Sequence, residues 1–414
     1  MINVMWKKYK LSDIGAIVGG ATPSTTVEKY YGGDIPWLTP KDLSSFNDRY
    51  ITRGERNITE DGLKSCSTQL LPKGSVLFSS RAPIGYVAIA NNPIATNQGF
   101  KSIIPNKDTN SLFLYYLLKY NKEIIESMGS GTTFKEVSGA TMKNIEVLLP
   151  PLAEQERIAG ILGALDDKIE LNNRINRNLE EQVTALFRRW FVDFEFPDAE
   201  GNPYCTSGGE MINSPLGEIP KGWTVGKFTE IIEIQGGGTP NTSNSEFWNG
   251  NIPFFTPKDA KDKCFVLSTE KQITNKGLNK CNSKLYTKGT VFITARGTVG
   301  KVAIAGCDMA MNQSCYALIG KNNIEQYFVY HITKETVILL KGKASGAVFD
   351  AITTRDFDSE HIVIPSKNII AKFNNSVKSL MGLILVNSIE NNTLAELRDS
   401  FLPKLMNNEI KYKI

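Results

Sequence analysis

Apolar residues recur at alternating steps of four and three along one stretch of this chain, from Ala153 to Phe191. They run Ile158, Leu162, Leu165, Ile169, then Asn172 and Asn176, then Leu179, Val183, Leu186 and Trp190. That spacing predicts a long helix with a coiled-coil seam. About 38 residues at 1.5 Å each make a rod of roughly 57 Å. An aromatic cluster, Phe187 to Phe196, closes it, and Pro197 opens a segment rich in Gly, Pro, Ser and Asn that reads as a linker to Gly222. A second seam follows near the C-terminus: Phe373, Val377, Leu380, Ile384, Asn387, Asn391, Leu394 and, after Arg398, Phe401. Both asparagines occupy heptad positions equivalent to Asn172 and Asn176. A buried asparagine costs stability but fixes register, so asparagines at one height in both seams predict that the helices pair, antiparallel. The alternative is two amphipathic helices, each packed on its own domain.

Outside the seams the pattern changes to short runs. Val76-Leu77-Phe78 and Tyr86 to Ala90 are bounded by Gly and Pro and read as strands. Leu112 to Met128 reads as a helix stopped by Gly129, and Pro150-Pro151 closes this part. The same texture returns from Trp223 to Pro365 because the chain repeats itself. Thr22-Pro23 and Ile35-Pro36-x-x-Thr39-Pro40-Lys41-Asp42 reappear 217 residues later, as Thr239-Pro240 and Ile252-Pro253-x-x-Thr256-Pro257-Lys258-Asp259. The offset then becomes 215 and holds through Ile58-Thr59, Cys66, Asn97-Gln98 and Gly131-x-x-Phe134, which return as Ile273-Thr274, Cys281, Asn312-Gln313 and Gly346-x-x-Phe349. This period is far longer than the roughly 20–50 residues of a solenoid unit, so two similar domains are expected. The fold class that follows is α+β: two similar mixed α/β domains joined by two long helices in an antiparallel coiled coil. The expected boundaries are residues 1–150, 151–196 for the first helix, 197–222 for the linker, 223–365, and 366–414 for the second helix. Such a chain has an approximate internal two-fold axis, and duplex DNA is a natural two-fold partner.

Composition narrows the classes. Hydrophobic content of 41% and charged content of 22% are those of an ordinary globular protein. No apolar run approaches the roughly 18 residues of a membrane helix, and Met1 to Lys10 lack a signal-peptide core. Six cysteines are scattered without a C-x-x-C pair, so a reducing cytoplasm is expected and a zinc site is not. A net charge of +4 and a pI near 8.5 permit nucleic-acid binding without arguing for it. No phosphate-binding loop, H-E-x-x-H or G-x-S-x-G motif occurs, and the two histidines, His331 and His361, have no histidine counterparts in the first copy. No cofactor is expected. Asp42 and Asp259 form the one acidic position repeated in a notable motif, which keeps a nuclease with a duplicated site as a rival.

The repeated polar residues supply candidate chemistry. Lys41, Arg81, Lys258 and Arg296 can contact phosphates or read guanine, while Asn97, Gln98, Asn312 and Gln313 can read adenine. Identical residues in two copies also serve the shared fold, because domains reading different half-sites should differ where they touch bases. Lysines and arginines are therefore the better candidates for backbone contacts. Base readers are expected where the copies diverge, as in Ser44–Arg56 against Ala260–Lys271. The aromatic cluster, with Phe187, Trp190, Phe191 and Phe194, joins Leu402 and Leu405 as candidate partner-docking residues. The alternative is that the cluster merely caps the helical pair. A coiled-coil adaptor that binds protein only is a second rival.

With this layout in place, the chain resembles the specificity subunit of type I restriction-modification systems. The matching pieces begin with Trp6-x-x-x-x-Leu11-x-Asp13-Ile14, Thr22-Pro23 and Leu71-Pro72-x-Gly74-x-Val76-Leu77, with Arg81 and Asn97-Gln98. Leu149-Pro150-Pro151-Leu152-x-Glu154-Gln155-x-x-Ile158 resembles the start of that family's first conserved helix, and Leu186-Phe187-x-x-Trp190-Phe191-Val192-Asp193-Phe194 its end. Leu216-Gly217-Glu218-Ile219-Pro220-x-Gly222-Trp223 resembles the entry to the second recognition domain, and Leu397-Arg398-Asp399-x-Phe401-Leu402-Pro403-Lys404-Leu405-Met406 the family's C-terminus. The second helix entry, Pro365-Ser366-Lys367-Asn368-Ile369-Ile370, departs from the Pro-Leu-x-Glu-Gln pattern. The resemblance implies two target-recognition domains, each reading half of a bipartite, asymmetric site on double-stranded DNA. It also implies assembly with two modification (methyltransferase) subunits, with restriction subunits in the full complex. Methyl transfer and translocation would belong to those partners, and the chain itself would be non-catalytic.

Overall fold

The computed structural model describes residues 6–131, 135–261, 263–343 and 350–409. Phe134, Gly346 and Phe349 of the repeated motif lie outside them. The chain divides into two compact units: residues 1–170 with 393–414, and residues 171–392.

The first unit holds a five-stranded sheet in the order Gly15–Gly19, Lys101–Pro105, Val76–Ser80, Ile84–Ala90, Tyr50–Ile51. All pairings are antiparallel except the last. Val76, Leu77, Phe78 and Ile103 are fully buried, which explains why these strands read as continuous apolar runs. A three-stranded sheet, Arg56–Ile58, Tyr31–Leu38, Ala95–Thr96, stands beside it. A short antiparallel ladder joins Lys7–Lys10 to Glu146–Leu149 and so ties the start of the domain to its end.

The second unit repeats this order strand for strand. Its five strands are Ile232–Gly236, Cys315–Gly320, Val291–Thr294, Val302–Ala305 and Phe265–Val266, and its three are Lys271–Ile273, Trp248–Phe255 and Ala310–Met311. Even an irregularity is repeated. Tyr31 and Ile35 both oppose Ile58, and Trp248 and Ile252 both oppose Ile273, so each copy carries the same bulge. Gly33 and Gly250 sit in it, where an added Cβ would lie 2.6 and 2.4 Å from the opposing carbonyl oxygens of Ile58 and Ile273. Only glycine lets the backbones approach so closely.

The copies differ in their main helix. In the second unit it runs unbroken over Gln326–Lys343. In the first, the expected helix from Leu112 to Met128 is two pieces, Ser111–Tyr120 and Lys122–Ser127, interrupted at Asn121. The Asn121 side-chain amide donates to the Leu117 carbonyl, 2.8 Å away, in competition with the helical ladder.

Two 40-residue helices, Leu152–Phe191 and Lys367–Met406, each cross the boundary between the units in sequence. In the second unit they run antiparallel. Asn172 donates to Asn391 and Asn387 donates to Asn176, each at 2.9 Å. Asn391 also donates to Asn173 at 2.9 Å. Under the 215-residue offset Asn172 maps onto Asn387 and Asn176 onto Asn391, so each pair is the repeat image of the other. The second helix has an 18-residue window of mean hydropathy 1.3, enough by length and composition alone to cross a membrane. Here Phe373, Val377, Met381 and Ile384 are buried in the core of the second unit, and the asparagines bond to the first helix.

Candidate nucleic-acid interface

The repeated Thr-Pro-Lys-Asp motif starts a helical turn over Pro40–Ser44 in the first unit. Asp42 is committed to the fold: its carboxylate accepts from the Thr39 backbone and hydroxyl at 2.7 and 2.8 Å and from the Glu55 backbone at 2.7 Å. Asp259 does the same with Thr256 and the Glu270 backbone, at 2.7–2.8 Å. Both oxygens of each carboxylate are therefore occupied in binding the turn to the strand that follows.

The motif lysines point the other way. Lys41 and Lys258 are exposed and reach Glu55 at 3.0 Å and Glu270 at 3.9 Å. Exposed pairs of this kind are worth little, about 0–1 kcal/mol, so both cations can change partners cheaply. Beside Lys41, a cleft of about 420 Å³ is lined by Thr39, Pro40, Arg81, Ala82, Asn97 and Gly99. Arg81 is half-buried and lies 3.8 Å from Glu136, which Lys101 also contacts at 3.2 Å. Its counterpart Arg296 is exposed, on backbone bridged to Ala351.

The paired amides are engaged locally. Asn97 Oδ1 accepts from the Gly99 backbone at 2.8 Å, and Asn312 Oδ1 from the Ser314 backbone at 3.1 Å. Gln98 and Gln313 meet the hydroxyls of Thr22 and Thr239, which explains why Thr-Pro and Asn-Gln recur together. In the first unit Asn97 lines the same cleft as Lys41.

Sequence reasoning missed the residues that join each domain to the long helices. In the first unit Arg49, only 2% exposed, bonds the carboxylate of Glu170 at 2.9 and 3.1 Å and the Gly163 carbonyl at 3.3 Å, and it pairs with Asp167. Burial opposes the guanidinium charge, but the hydrogen-bonded carboxylates more than restore it and hold its pKa above the ordinary arginine value. Nearby, buried Asp166 accepts from the Tyr116 hydroxyl at 2.6 Å and from Arg398 at 2.7 Å. The seam was expected to bury Leu165. The structure half-buries Leu165 and buries Asp166 instead, because these two donors turn a charge into a core residue.

Under the offset, Arg49, Tyr116, Asp166 and Arg398 become Cys264, His331, Met381 and Val183. The second unit makes the same joint without salt bridges at these positions. His331 is 4% exposed, stacked on Phe187 at 5.3 Å and edge-on to Phe373 at 6.2 Å. Burial, with Lys334 adding to it, pushes its pKa down to about 3, so the ring is neutral.

The aromatic cluster was expected on the surface and is found inside. Phe187, Trp190 and Phe191 are buried in the core of the second unit, where their rings pack against Phe328 and Phe373, and Phe194 is half-buried against Trp223. They face inward because these rings are what the end of the first long helix uses to seat the domain. Leu405 is buried in the core of the first unit and Leu402 packs half-buried against it. The exposed apolar residues of the long helices are instead Leu171, Ile175, Leu383, Val386, Ile389 and Leu397.

The chain thus carries two copies of one α/β domain, each with an exposed lysine beside a braced turn and each followed by a long helix. The family model for the type I restriction modification DNA specificity domain matches this chain twice, over residues 3–181 and 220–397, and the chain belongs to that family. It is 36% identical over 414 residues to the type I restriction enzyme MjaIX specificity subunit of Methanocaldococcus jannaschii, covering 98% of this chain and 94% of that one. The HindI specificity subunit of Haemophilus influenzae is 26% identical over 98% of this chain and 99% of its own. Among solved structures, the type I restriction-modification S subunit from M. genitalium shares the fold, with a TM-score of 0.58 at 16% identity over 98% of this chain and 97% of that one.

Proposed function

We propose that this chain is the DNA-specificity subunit of a type I restriction-modification complex, working in the cytoplasm. Each domain reads one half of a bipartite, asymmetric site on double-stranded DNA. The observation that carries this reading is the twofold family match, which falls on two copies of one fold that have diverged between Ser44–Arg56 and Ala260–Lys271. Divergence in one segment of a shared scaffold, which exposes side chains such as Asn47 and Arg53 in one copy and Lys261 and Ser268 in the other, is what two different half-sites require. The chain supplies address and not chemistry. The duplicated aspartates that a nuclease would need are bound up as turn caps, and methyl transfer and cleavage fall to modification and restriction partners.

Lys41, Arg81, Lys258 and Arg296 serve as backbone-phosphate contacts, while Asn97, Gln98, Asn312 and Gln313 shape the turns that carry them. Two modification subunits dock on the paired helices, where Leu171, Leu383, Val386 and Ile389 are exposed. A protein-only adaptor is the reading this must beat. Mapping methylated positions in cells that carry this chain with its modification subunit tests it. One split sequence motif is expected, and exchanging Ala260–Lys271 for a relative's segment should change one half of it. Methylation that ignores this chain would sink the reading. Within the complex, Arg81→Ala should weaken all DNA sequences about equally and lower the salt slope by about one.

A further inference from the structure

The second domain carries a charged cleft whose lysine lining the first domain does not repeat. It has a volume of about 320 Å³ and is lined by five lysines, Lys261, Lys263, Lys301, Lys334 and Lys341, against one carboxylate among the described residues, Glu180. The lysines arrive from separate places: two from the segment after the Thr-Pro-Lys-Asp turn, one at the start of strand Val302–Ala305, and two from helix Gln326–Lys343. Burial lowers the Lys263 pKa, and Lys261 lowers it further, although the side chain still reaches solvent. Burial likewise raises the pKa of Glu180, against the pull of Lys334 and the Cys264 amide. Lys261 and Lys263 are thus held close at a cost.

The first copy shows that the fold does not need them. Under the offset, Lys263, Lys301 and Lys341 become Asp48, Tyr86 and Glu126, and Glu180 becomes Ala395. Only Lys334 keeps its match, Lys119, and each of these two lies 5.2 Å from the centre of a tyrosine ring four residues earlier. The other charges at counterpart positions, Lys122 and Glu123, cancel. The same scaffold thus builds a basic cleft in one domain and a weakly acidic surface in the other. A cleft that gathers lysines from three elements, where the other copy of the fold does without them, fits a polyanion. Two of its lysines, Lys261 and Lys263, lie within Ala260–Lys271, the divergent segment assigned to half-site reading, which favours the DNA backbone as that polyanion.

We infer that this lysine cleft is a phosphate-binding site of the second domain only, gripping the sugar-phosphate backbone next to the second half-site, so that the two half-sites are held with unequal backbone contact. This rests on the DNA-specificity reading above. The shared chemistry is a phosphate group, which duplex DNA or a free nucleotide could bring.

The test uses the full chain assembled with its modification subunits and a duplex carrying the mapped site. Affinity is measured between 50 and 200 mM salt for the wild type and for K261Q/K334Q/K341Q. Three lost phosphate contacts should reduce the slope of log affinity against log salt by about 2.7. Target and random DNA should weaken alike. If the triple variant does not fold, K261Q/K341Q carries the test, with an expected reduction of about 1.8. An unchanged slope in a complex that still prefers its target overturns the cleft and leaves the function standing. A wild-type complex with no target preference overturns both. ATP bound by the isolated wild-type chain and lost in the variant, with the slope unchanged, would assign the cleft to a free nucleotide. Modification subunits lost from the variant, again with the slope unchanged, would assign it to an acidic protein surface.

Discussion

Arg49 shows how much one side chain can decide. It draws a loop of the first domain onto the first long helix through Glu170, Asp167 and the Gly163 carbonyl. Removing one member of a buried ion pair strands the other, so Arg49→Met should cost about 3 kcal/mol in chemical denaturation of the intact chain. A loss near zero would mean that water already reaches the pair. His331 makes the opposite kind of statement. Its folded pKa of about 3 lies below the ordinary imidazole value of about 6.5, so the unfolded chain binds a proton that the folded chain refuses. Stability is unaffected above pH 6.5 and falls as pH drops from there toward 3, by about 1.4 kcal/mol per pH unit. In His331→Gln that component of the slope should vanish, as read from denaturation midpoints across this range. Neither residue announced itself in the sequence. Arg49 sits in a divergent loop where an arginine suggests DNA, and an isolated histidine carries no signal of the aromatic rings around it.

The elements were far more legible. Seam spacing located both long helices because a packed helix must present an apolar face every 3.6 residues, and short apolar runs located the central strands Val76–Ser80 and Ile84–Ala90. Two features escaped. The break at Asn121 depends on which carbonyl one side chain selects, and the shift from Leu165 to Asp166 depends on partners distant in sequence, Tyr116 and Arg398. The asparagine steps, by contrast, were readable from position alone, and they make a prediction about the helices as elements. Asn387→Leu strands the Asn176 side chain in the interface and should cost about 1–3 kcal/mol. Asn176→Leu with Asn387→Leu should recover that loss while relaxing register. Thermal melting of the single and double variants reads the first effect. Cysteine crosslinking at shifted positions reads the second.

For the whole molecule, each long helix belongs by sequence to both units, so its length enters both domains' attachment. If the helices set the distance between half-sites, four extra residues in each, adding about 6 Å, should lengthen the spacer in the methylated motif by one to two base pairs. An unchanged motif would remove the helices from that role. The two joints carry a further consequence for how such chains can be recombined. The ionic joint of the first domain draws its members from four stretches of sequence: Arg49, Tyr116, residues 163–170, and Arg398 near the far end. A graft that replaced residues 1–150 alone with a foreign domain lacking Arg49 and Tyr116 would leave Asp166, Glu170 and Arg398 facing strangers. Viable chimaeras must therefore import matching stubs of both stalks along with the new head, whereas the greasy socket of the second domain should accept transplants far more forgivingly.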